Sequence, residues 1–417
     1  MDLSCVAVSM AAVASTAPEN SPMVSCSSLC RSSLVVAGAL LIVVAAGVSA
    51  SGQKAAPVNA VPLTVRTPHS GFNRMVVTVT ICEPGTARCA TIDNVMVDTG
   101  STGLRLEASA VPASLRWPAF TGAGDKPLAE CLRFLHDDAW GPLVHADLRI
   151  GGMTAMNLPI QIIADDGRPQ PEACPASGVK PTSNGTLGIG PYLFDCQGAC
   201  VQSARSPGVF VADGDSWAPV QGPVPPQSRL PNPVSRFAEH GNGIVIDLPL
   251  PPAGGADDVV GSLTFGAGTA ANNQLGTARI IRLDRSGRFT TVFGGVAYPD
   301  SYIDSGTETY ILNDGGLPRC TGMSWAYCPS PDRILDATIV GADEARVAVS
   351  FKVGDYRAAL DRRVGAWDGF AEAAEPASRS FVWGAPLFFG RRIVVVHEGQ
   401  PVPGIDGATG PLYAIQP

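Results

Sequence analysis

The sequence predicts an all-β protein made of two related lobes. Short alternating or apolar runs are separated by Gly, Pro, Asn and Asp, which is typical of strands and not of alternating strands and helices. The chain has 417 residues, which is longer than most chains that fold around a single hydrophobic core, so two lobes are expected. A tetrad of Asp, hydroxyl residue, Gly and hydroxyl residue occurs twice, at 98–101 and at 304–307. One tetrad in each lobe indicates a duplicated architecture.

The first 50 residues have the features of an export signal. An unbroken apolar and small-residue run, 34–48, follows Arg31, and 48–50 (VSA) offer the small residues that a signal peptidase reads. Fifteen residues are too few to span a bilayer comfortably, so we expect cleavage after Ala50 and a periplasmic or extracellular protein. Two alternatives stay open: translation starting at Met23, and an uncleaved segment that tethers the protein to a membrane.

Three segments follow the signal. Residues 51–70 are interpreted as a linker, 71–270 as the N-terminal lobe with the first Asp, and 271–417 as the C-terminal lobe with the second. The runs predicted as strands are 75–82, 145–150, 158–163, 243–250, 261–266, 278–283, 345–351 and 391–396.

Two other stretches do not have the strand pattern. Residues 105–115 (RLEASAVPASL) are predicted to contain a short helical piece. Residues 204–232 are rich in Pro and Gly and are predicted to form a long surface loop.

Cysteine usage agrees with export. Three cysteines lie in the leader, and an even number remains, which in an exported chain indicates disulfides. Sequence does not fix connectivity, but three pairs could close small loops and leave a fourth pair over. These pairs are Cys82–Cys89, Cys196–Cys200, Cys320–Cys328 and, as the remainder, Cys131–Cys174.

Composition narrows the classes of function. The net charge of −8 and the lack of a Lys/Arg cluster argue against a nucleic-acid partner. A hydrophobic content of 45% argues against disorder. The five His are scattered, and there is no CxxC, HExxH, GxSxG or phosphate-binding loop, so we expect no metal and no cofactor.

A weak internal repeat accompanies the tetrads. Gly188 ends an apolar run 90 residues after Asp98, and Gly384 ends another 80 residues after Asp304. Each half therefore has a strand, a tetrad turn and a distant apolar strand ending in Gly.

These motifs resemble the pepsin-like aspartic peptidases, in family order, from about residue 75 to 410. Residues 133–152 resemble the segment that carries the flap, NGTLGIG at 184–190 resembles the strand behind the first Asp, and 381–396 resembles the strand that supports the second. In detail the chain is similar to a bacterial exported family known only as a domain of unknown function. The resemblance implies the bilobal pepsin-like aspartic peptidase fold, in which two related β lobes lie around a central cleft.

It also implies roles for residues. Asp98 and Asp304 would be the catalytic pair, since two close carboxylates share one proton and can activate a water. Gly100 and Gly306 lack a Cβ and would let backbone and water approach the carboxylates. The Ser101 and Thr307 hydroxyls would hydrogen-bond the outer carboxylate oxygens, and Thr99 and Ser305 would cross-link the two turns. The flap lacks the Tyr usual in pepsins, and Phe134 and Trp140 are the candidates to cap the substrate.

The leading hypothesis is a monomeric, exported aspartic-type endopeptidase whose partner is a peptide or protein substrate in the cleft. The alternative is a non-catalytic envelope or secreted binding or inhibitor protein that retains the fold. A processing peptidase restricted to one substrate is a third hypothesis. Retention of both Asp and both Gly favours catalysis, whereas the absent flap Tyr favours the binding protein.

Overall fold

Strands make up nearly all of the regular structure in the computed structural model, which describes residues 58–66, 71–134, 138–164, 169–172, 174, 182–195 and 208–416. The first twelve described strands are β1 (Ala60–Arg66), β2 (Arg74–Cys82), β3 (Cys89–Asp98), β4 (Thr102–Glu107), β5 (Leu128–Arg133), β6 (Asp138–Ile150), β7 (Met153–Ile163), β8 (Gly185–Ile189), β9 (Val209–Asp213), β10 (Ser216–Pro219), β11 (Gly243–Leu248) and β12 (Asp258–Phe265). The next twelve are β13 (Arg279–Arg282), β14 (Phe289–Phe293), β15 (Val296–Ile303), β16 (Tyr310–Leu312), β17 (Arg319–Cys320), β18 (Met323–Tyr327), β19 (Arg333–Val340), β20 (Arg346–Val353), β21 (Ala371–Ala373), β22 (Val382–Trp383), β23 (Arg391–Val396) and β24 (Leu412–Gln416).

Helices are few and short. Among the described residues the one α-helix is Tyr356–Asp361, which begins where the Asp355 side chain accepts a hydrogen bond from the Ala358 amide. The 3₁₀ turns are Ala108–Ala110, Ala123–Asp125, Pro226–Ser228, Val234–Arg236, Ala271–Asn273 and Ala385–Phe388. No helix in the described ranges has the length and apolar character needed to cross a membrane.

The strands form two sheets. The first has the order β10-β9-β5-β6-β7-β4-β8-β3-β2-β1-β12-β11-β23-β24-β13, and the second the order β17-β18-β21-β16-β22-β15-β14-β19-β20. Burial follows strand position: β20 alternates exposed and buried residues, because one face meets solvent, whereas all five residues of β8 are buried. The fold is therefore all-β, as the sequence predicts.

The first sheet continues across the predicted lobe boundary between residues 270 and 271. Strand β11 pairs antiparallel with β12 on one side and with β23 on the other, from Gly243↔Val396 to Leu248↔Arg391. The last strand, β24, then pairs with β23 and β13. The two halves thus share backbone hydrogen bonds as well as side-chain contacts.

Three segments differ from the sequence-based expectation. Ala60–Arg66, placed in the linker, forms β1 and buries Leu63 and Val65 between β2 and β12. The start of the expected helical piece, Arg105 to Glu107, is strand, and only a 3₁₀ turn follows. The described part of the expected surface loop contains the β9–β10 hairpin, because β9 covers the free edge of β5.

Disulfides are present, as the cysteine count indicates. Bonds join Cys82 to Cys89, Cys131 to Cys174, and Cys320 to Cys328. The Cys196–Cys200 pair, the export signal and most of the linker lie outside the described residues.

Candidate active site

The first tetrad is held by strands that come from distant parts of the N-terminal half. Strand β3 ends at Asp98, the turn follows, and β4 leads away from it. Strand β8 lies between them, parallel to β3 with Asp98 opposite Gly188, and antiparallel to β4. A Cβ on Gly188 would lie 2.8 Å from the Ser101 hydroxyl, so only glycine lets this strand approach the turn.

The second tetrad has the same arrangement. Strand β22 runs parallel to β15, which leads into the turn, and antiparallel to β16, which leaves it. The Asp304 amide donates to the Trp383 carbonyl at 3.0 Å, and a Cβ on Gly384 would lie 2.0 Å from the Thr309 carbonyl oxygen. The repeat that the sequence suggests is therefore a repeat of local topology.

The two turns bring Asp98 and Asp304 into contact. A Cβ on Gly100 would lie 2.6 Å from Asp304 Cγ, and a Cβ on Gly306 would lie 2.8 Å from Asp98 Oδ1. Each glycine therefore leaves the space that the carboxylate of the other half occupies.

Each carboxylate receives the same two hydrogen bonds from its own turn. The Gly100 amide donates to Asp98 Oδ1 at 2.7 Å, and the Ser101 hydroxyl donates to Asp98 Oδ2. The Gly306 amide donates to Asp304 Oδ1 at 2.8 Å, and the Thr307 hydroxyl donates to Asp304 Oδ2 at 2.7 Å. In each turn the amide therefore holds Oδ1 and the hydroxyl holds Oδ2.

Thr99 and Ser305 connect the turns. Each backbone amide donates to the hydroxyl of the other residue, at 3.0 Å in both directions. The Ser305 hydroxyl in turn donates to the Val97 carbonyl at 2.8 Å. Both side chains are buried, so water does not compete for these bonds.

The two carboxyls differ in environment. Asp98 is 4% exposed, whereas Asp304 is partly accessible. Burial, and then the charge of Asp304, raise the pKa of Asp98 to about 8, against smaller opposing effects of the Ser101 and Gly100 hydrogen bonds. Two carboxyls in contact are therefore expected to share one proton, and burial favours the neutral form of Asp98.

A cleft of about 510 Å³ lies over the pair. The β5–β6 hairpin reaches it with Leu132, Arg133 and Phe134, so Phe134 lies where the sequence analysis placed a substrate cap. Trp140 does not reach the cleft. It is 5% exposed and packs edge-on against Phe210 and Trp217, close to the Cys131–Cys174 bond.

Several cleft residues were not identified from sequence: Tyr192, Asp195, Arg288, Tyr302 and Tyr413. Tyr302 lies on β15, two residues before Asp304, and could have been found from that spacing. The others come from loops and a terminal strand that only the tertiary fold brings to the cleft.

Potential metal ligands are close together in one place among the described residues, at Cys131, Asp138 and Cys174. Both sulfurs of this group belong to the Cys131–Cys174 disulfide and have no free thiolate to offer.

Comparisons with known proteins agree with this architecture. A family model described as "Protein of unknown function (DUF3443)" matches residues 55–415. No curated protein matches the chain. An aspartic proteinase from Irpex lacteus, known from its crystal structure, is similar with a TM-score of 0.50 and 13% identity, over 85% of this chain and 96% of that chain. The likeness confirms the pepsin-like fold.

Proposed function

The chain belongs to the family described as "Protein of unknown function (DUF3443)", and we propose that it is an exported aspartic-type endopeptidase. The observation that carries the proposal is the contact between Asp98 and Asp304, each held by an amide and a hydroxyl of its own turn. Such a pair shares one proton and can act as base and acid in the same step. A cleft of about 510 Å³ lies above the pair.

The burial difference suggests the roles. Asp304, the more accessible carboxylate, takes a proton from a water as the water oxygen bonds to the peptide carbonyl carbon. Asp98 gives its proton to the carbonyl oxygen, which produces a neutral tetrahedral diol. The diol then returns a proton to Asp98, the C–N bond breaks, and the leaving nitrogen receives the proton held by Asp304.

The first test is cleavage of an unfolded protein substrate by the purified protein between pH 3 and pH 8. We expect Asp98→Asn and Asp304→Asn each to lower kcat/KM by about a thousandfold or more, since residues of a catalytic unit fail together. Asp300→Asn, at an exposed site on β15, is the matched control and should leave the rate unchanged. Equal rates in all variants would reject the assigned pair, and no cleavage by the wild type at any pH would reject a general peptidase and leave the binding protein and a peptidase restricted to one substrate.

The raised pKa of Asp98 predicts how the cleavage rate depends on pH. Because the pKa of Asp98 is raised, the active form with one proton should persist above the usual range for carboxyls and decline as the pH rises toward 8. Protonation of both carboxyls removes the base and lowers the rate at the acid end.

Export is supported by the disulfides among the described residues, because such bonds persist in oxidising compartments. The expected mature protein begins at Ser51, after cleavage behind Ala50. Mass spectrometry of the natively produced protein checks this, and an N-terminus at Met1 or Met23 would contradict it.

A non-catalytic binding protein is the second candidate. It is favoured by the flap hairpin, which contains no tyrosine between residues 128 and 150 and offers Phe134 at the cleft. A peptide mimic of the tetrahedral diol separates the candidates. A peptidase should bind it far more tightly than the parent peptide, and a binding protein should bind both alike.

A further inference from the structure

Arg288 differs from the other charged side chains that line the cleft, which are Asp98, Asp304, Arg133 and Asp195. The two aspartates face each other. Arg133 pairs with Asp138 at 2.9 Å, and Asp195 pairs with Arg105 at 2.8 Å. Among the described residues no ion pair joins Arg288 to a carboxylate, and its guanidinium interacts instead with the Tyr302 side chain.

The chain holds Arg288 in place through a tight turn between β13 and β14. Asp284 Oδ1 accepts hydrogen bonds from the amides of Ser286 and Arg288, at 2.7 and 2.9 Å. The nearest acidic residue along the chain thus fixes the turn through backbone amides. A Cβ on Gly287 would lie 2.4 Å from the Tyr192 hydroxyl, so the turn packs closely against the other side of the cleft.

Three tyrosines line the cleft together with Arg288. Its Cζ lies 4.2 Å from the ring centroid of Tyr302, and Tyr192 and Tyr413 line the same part of the cleft. Burial raises the pKa of all three tyrosines, to about 12 for Tyr192, so they stay neutral and do not offset the charge. The positively charged guanidinium therefore lies against an aromatic ring and lines the cleft.

This cation lies close to the reacting bond. Tyr302 precedes Asp304 by two residues, which is about 7 Å along a strand. An extended peptide advances about 3.4 Å per residue, so a substrate group beside Arg288 is within about two residues of the bond above the pair.

We propose that Arg288 binds a carboxylate of the substrate and makes it select peptides with an acidic group within two residues of the scissile bond. This inference rests on the proposed peptidase function. Arginine and carboxylate form paired, charge-assisted hydrogen bonds, and the aromatic surroundings limit competition from water. The carboxylate could belong to an Asp or Glu side chain or to the end of a peptide.

The test uses peptides that differ at one position, Glu, Gln or Lys, with both ends blocked, and a Gln peptide with a free C-terminal carboxylate. We expect the Glu peptide to be cleaved about tenfold or more faster than the Gln peptide. Arg288→Gln should abolish the preference, and Arg288→Lys should retain part of it. Arg285→Gln, an exposed arginine on the same turn, should leave it unchanged.

A preference for the free C-terminus in place of Glu would identify the chain end as the source of the carboxylate. Equal cleavage of all peptides, or a Glu preference that survives in Arg288→Gln, would overturn the inference and leave the peptidase standing.

Binding measured by fluorescence anisotropy, in an Asp304→Asn background, keeps the two proposals separable. Tighter binding of the acidic peptide that is lost with Arg288→Gln, but with no cleavage by the wild-type pair, would support the inference and reject the peptidase. Equal or undetectable binding of the peptides would reject the inference whether or not cleavage occurs.

Discussion

Thr99 and Ser305 are 206 residues apart in sequence and exchange two hydrogen bonds of 3.0 Å at the floor of the cleft. Each bond runs from a backbone amide to the other residue's hydroxyl. Because the amides belong to the tetrad turns, the exchange fixes the turns and not merely two side chains. The separation of the Asp98 and Asp304 carboxylates is thereby set by backbone that cannot shift on one side alone.

Ser305→Ala should lower the free energy of unfolding by about 2–4 kcal/mol. The change leaves the buried Thr99 amide without an acceptor and the Val97 carbonyl without a donor, and each such group costs about 1–3 kcal/mol. Urea unfolding measures the loss. Ser350→Ala, on the exposed face of β20, is the control, with a change within about 0.5 kcal/mol. Similar values for the two variants would contradict the cross-linking role.

Gly100→Ala should lower kcat/KM by about a hundredfold or more while the protein remains folded. The added Cβ would lie 2.6 Å from Asp304 Cγ, so the carboxylates must move apart, and small displacements of reacting groups have effects of this size. Steady-state kinetics and circular dichroism are measured together. Gly315→Ala is the control, because a Cβ there meets no atom within 4 Å. Full activity in Gly100→Ala would show that the close contact is not required.

Much of this site can be read from local sequence. The predicted strand 391–396 is β23 residue for residue, because its VVV run is strongly apolar and bounded by a turn glycine. The Gly188 and Gly384 repeat also has a local cause, since each glycine follows an apolar run that must pass behind a tetrad. Where function requires an unusual local pattern, the pattern is visible without the structure.

The features that the sequence does not reveal depend on contacts with residues that are distant along the chain. Strand β1 lies in the segment interpreted as linker. Its Pro62 pairs only with Ser262 on β12, and β2 pairs from Thr64 onward. The proline therefore occupies a position where no second strand needs its amide. Arg288 was missed for a related reason. It is 16 residues before Asp304, and only the turn between β13 and β14 brings it to the cleft.

His397 should make the protein less stable in acid. The side chain is fully buried, with Nδ1 3.2 Å from the Gly241 carbonyl oxygen and Nε2 3.3 Å from the side-chain nitrogen Nδ2 of Asn232. Burial lowers the pKa of His397 to about 4. Between pH 6.5 and pH 4 the unfolded state binds the extra proton, so stability falls as the pH falls, by about 3 kcal/mol in total.

The measurement is urea unfolding of the wild type and of His397→Gln at pH 7, 5.5 and 4. The variant should lose less stability on acidification, because its side chain does not titrate. His240→Gln, at a partly exposed site, should follow the wild type. Parallel losses in wild type and His397→Gln would assign the acid sensitivity to other groups.

Arg105→Met should destabilise the fold by about 3–5 kcal/mol, because it leaves two buried carboxyls without their cation. The guanidinium is fully buried and bonds Glu130 at 2.9 Å, Asp195 at 2.8 Å and the Thr102 carbonyl at 2.7 Å, which joins the strand after the first tetrad to the flap hairpin. Burial and the neighbouring Glu130 raise the pKa of Asp195, so this cluster already favours one proton between the two acids.

Adding Glu130→Gln and Asp195→Asn to Arg105→Met removes the unpaired charges and should recover part of the loss in urea unfolding. Arg279→Met, at an exposed position of β13, is the control. If Arg105→Met lost no more stability than Arg279→Met, the buried cluster would contribute little to stability.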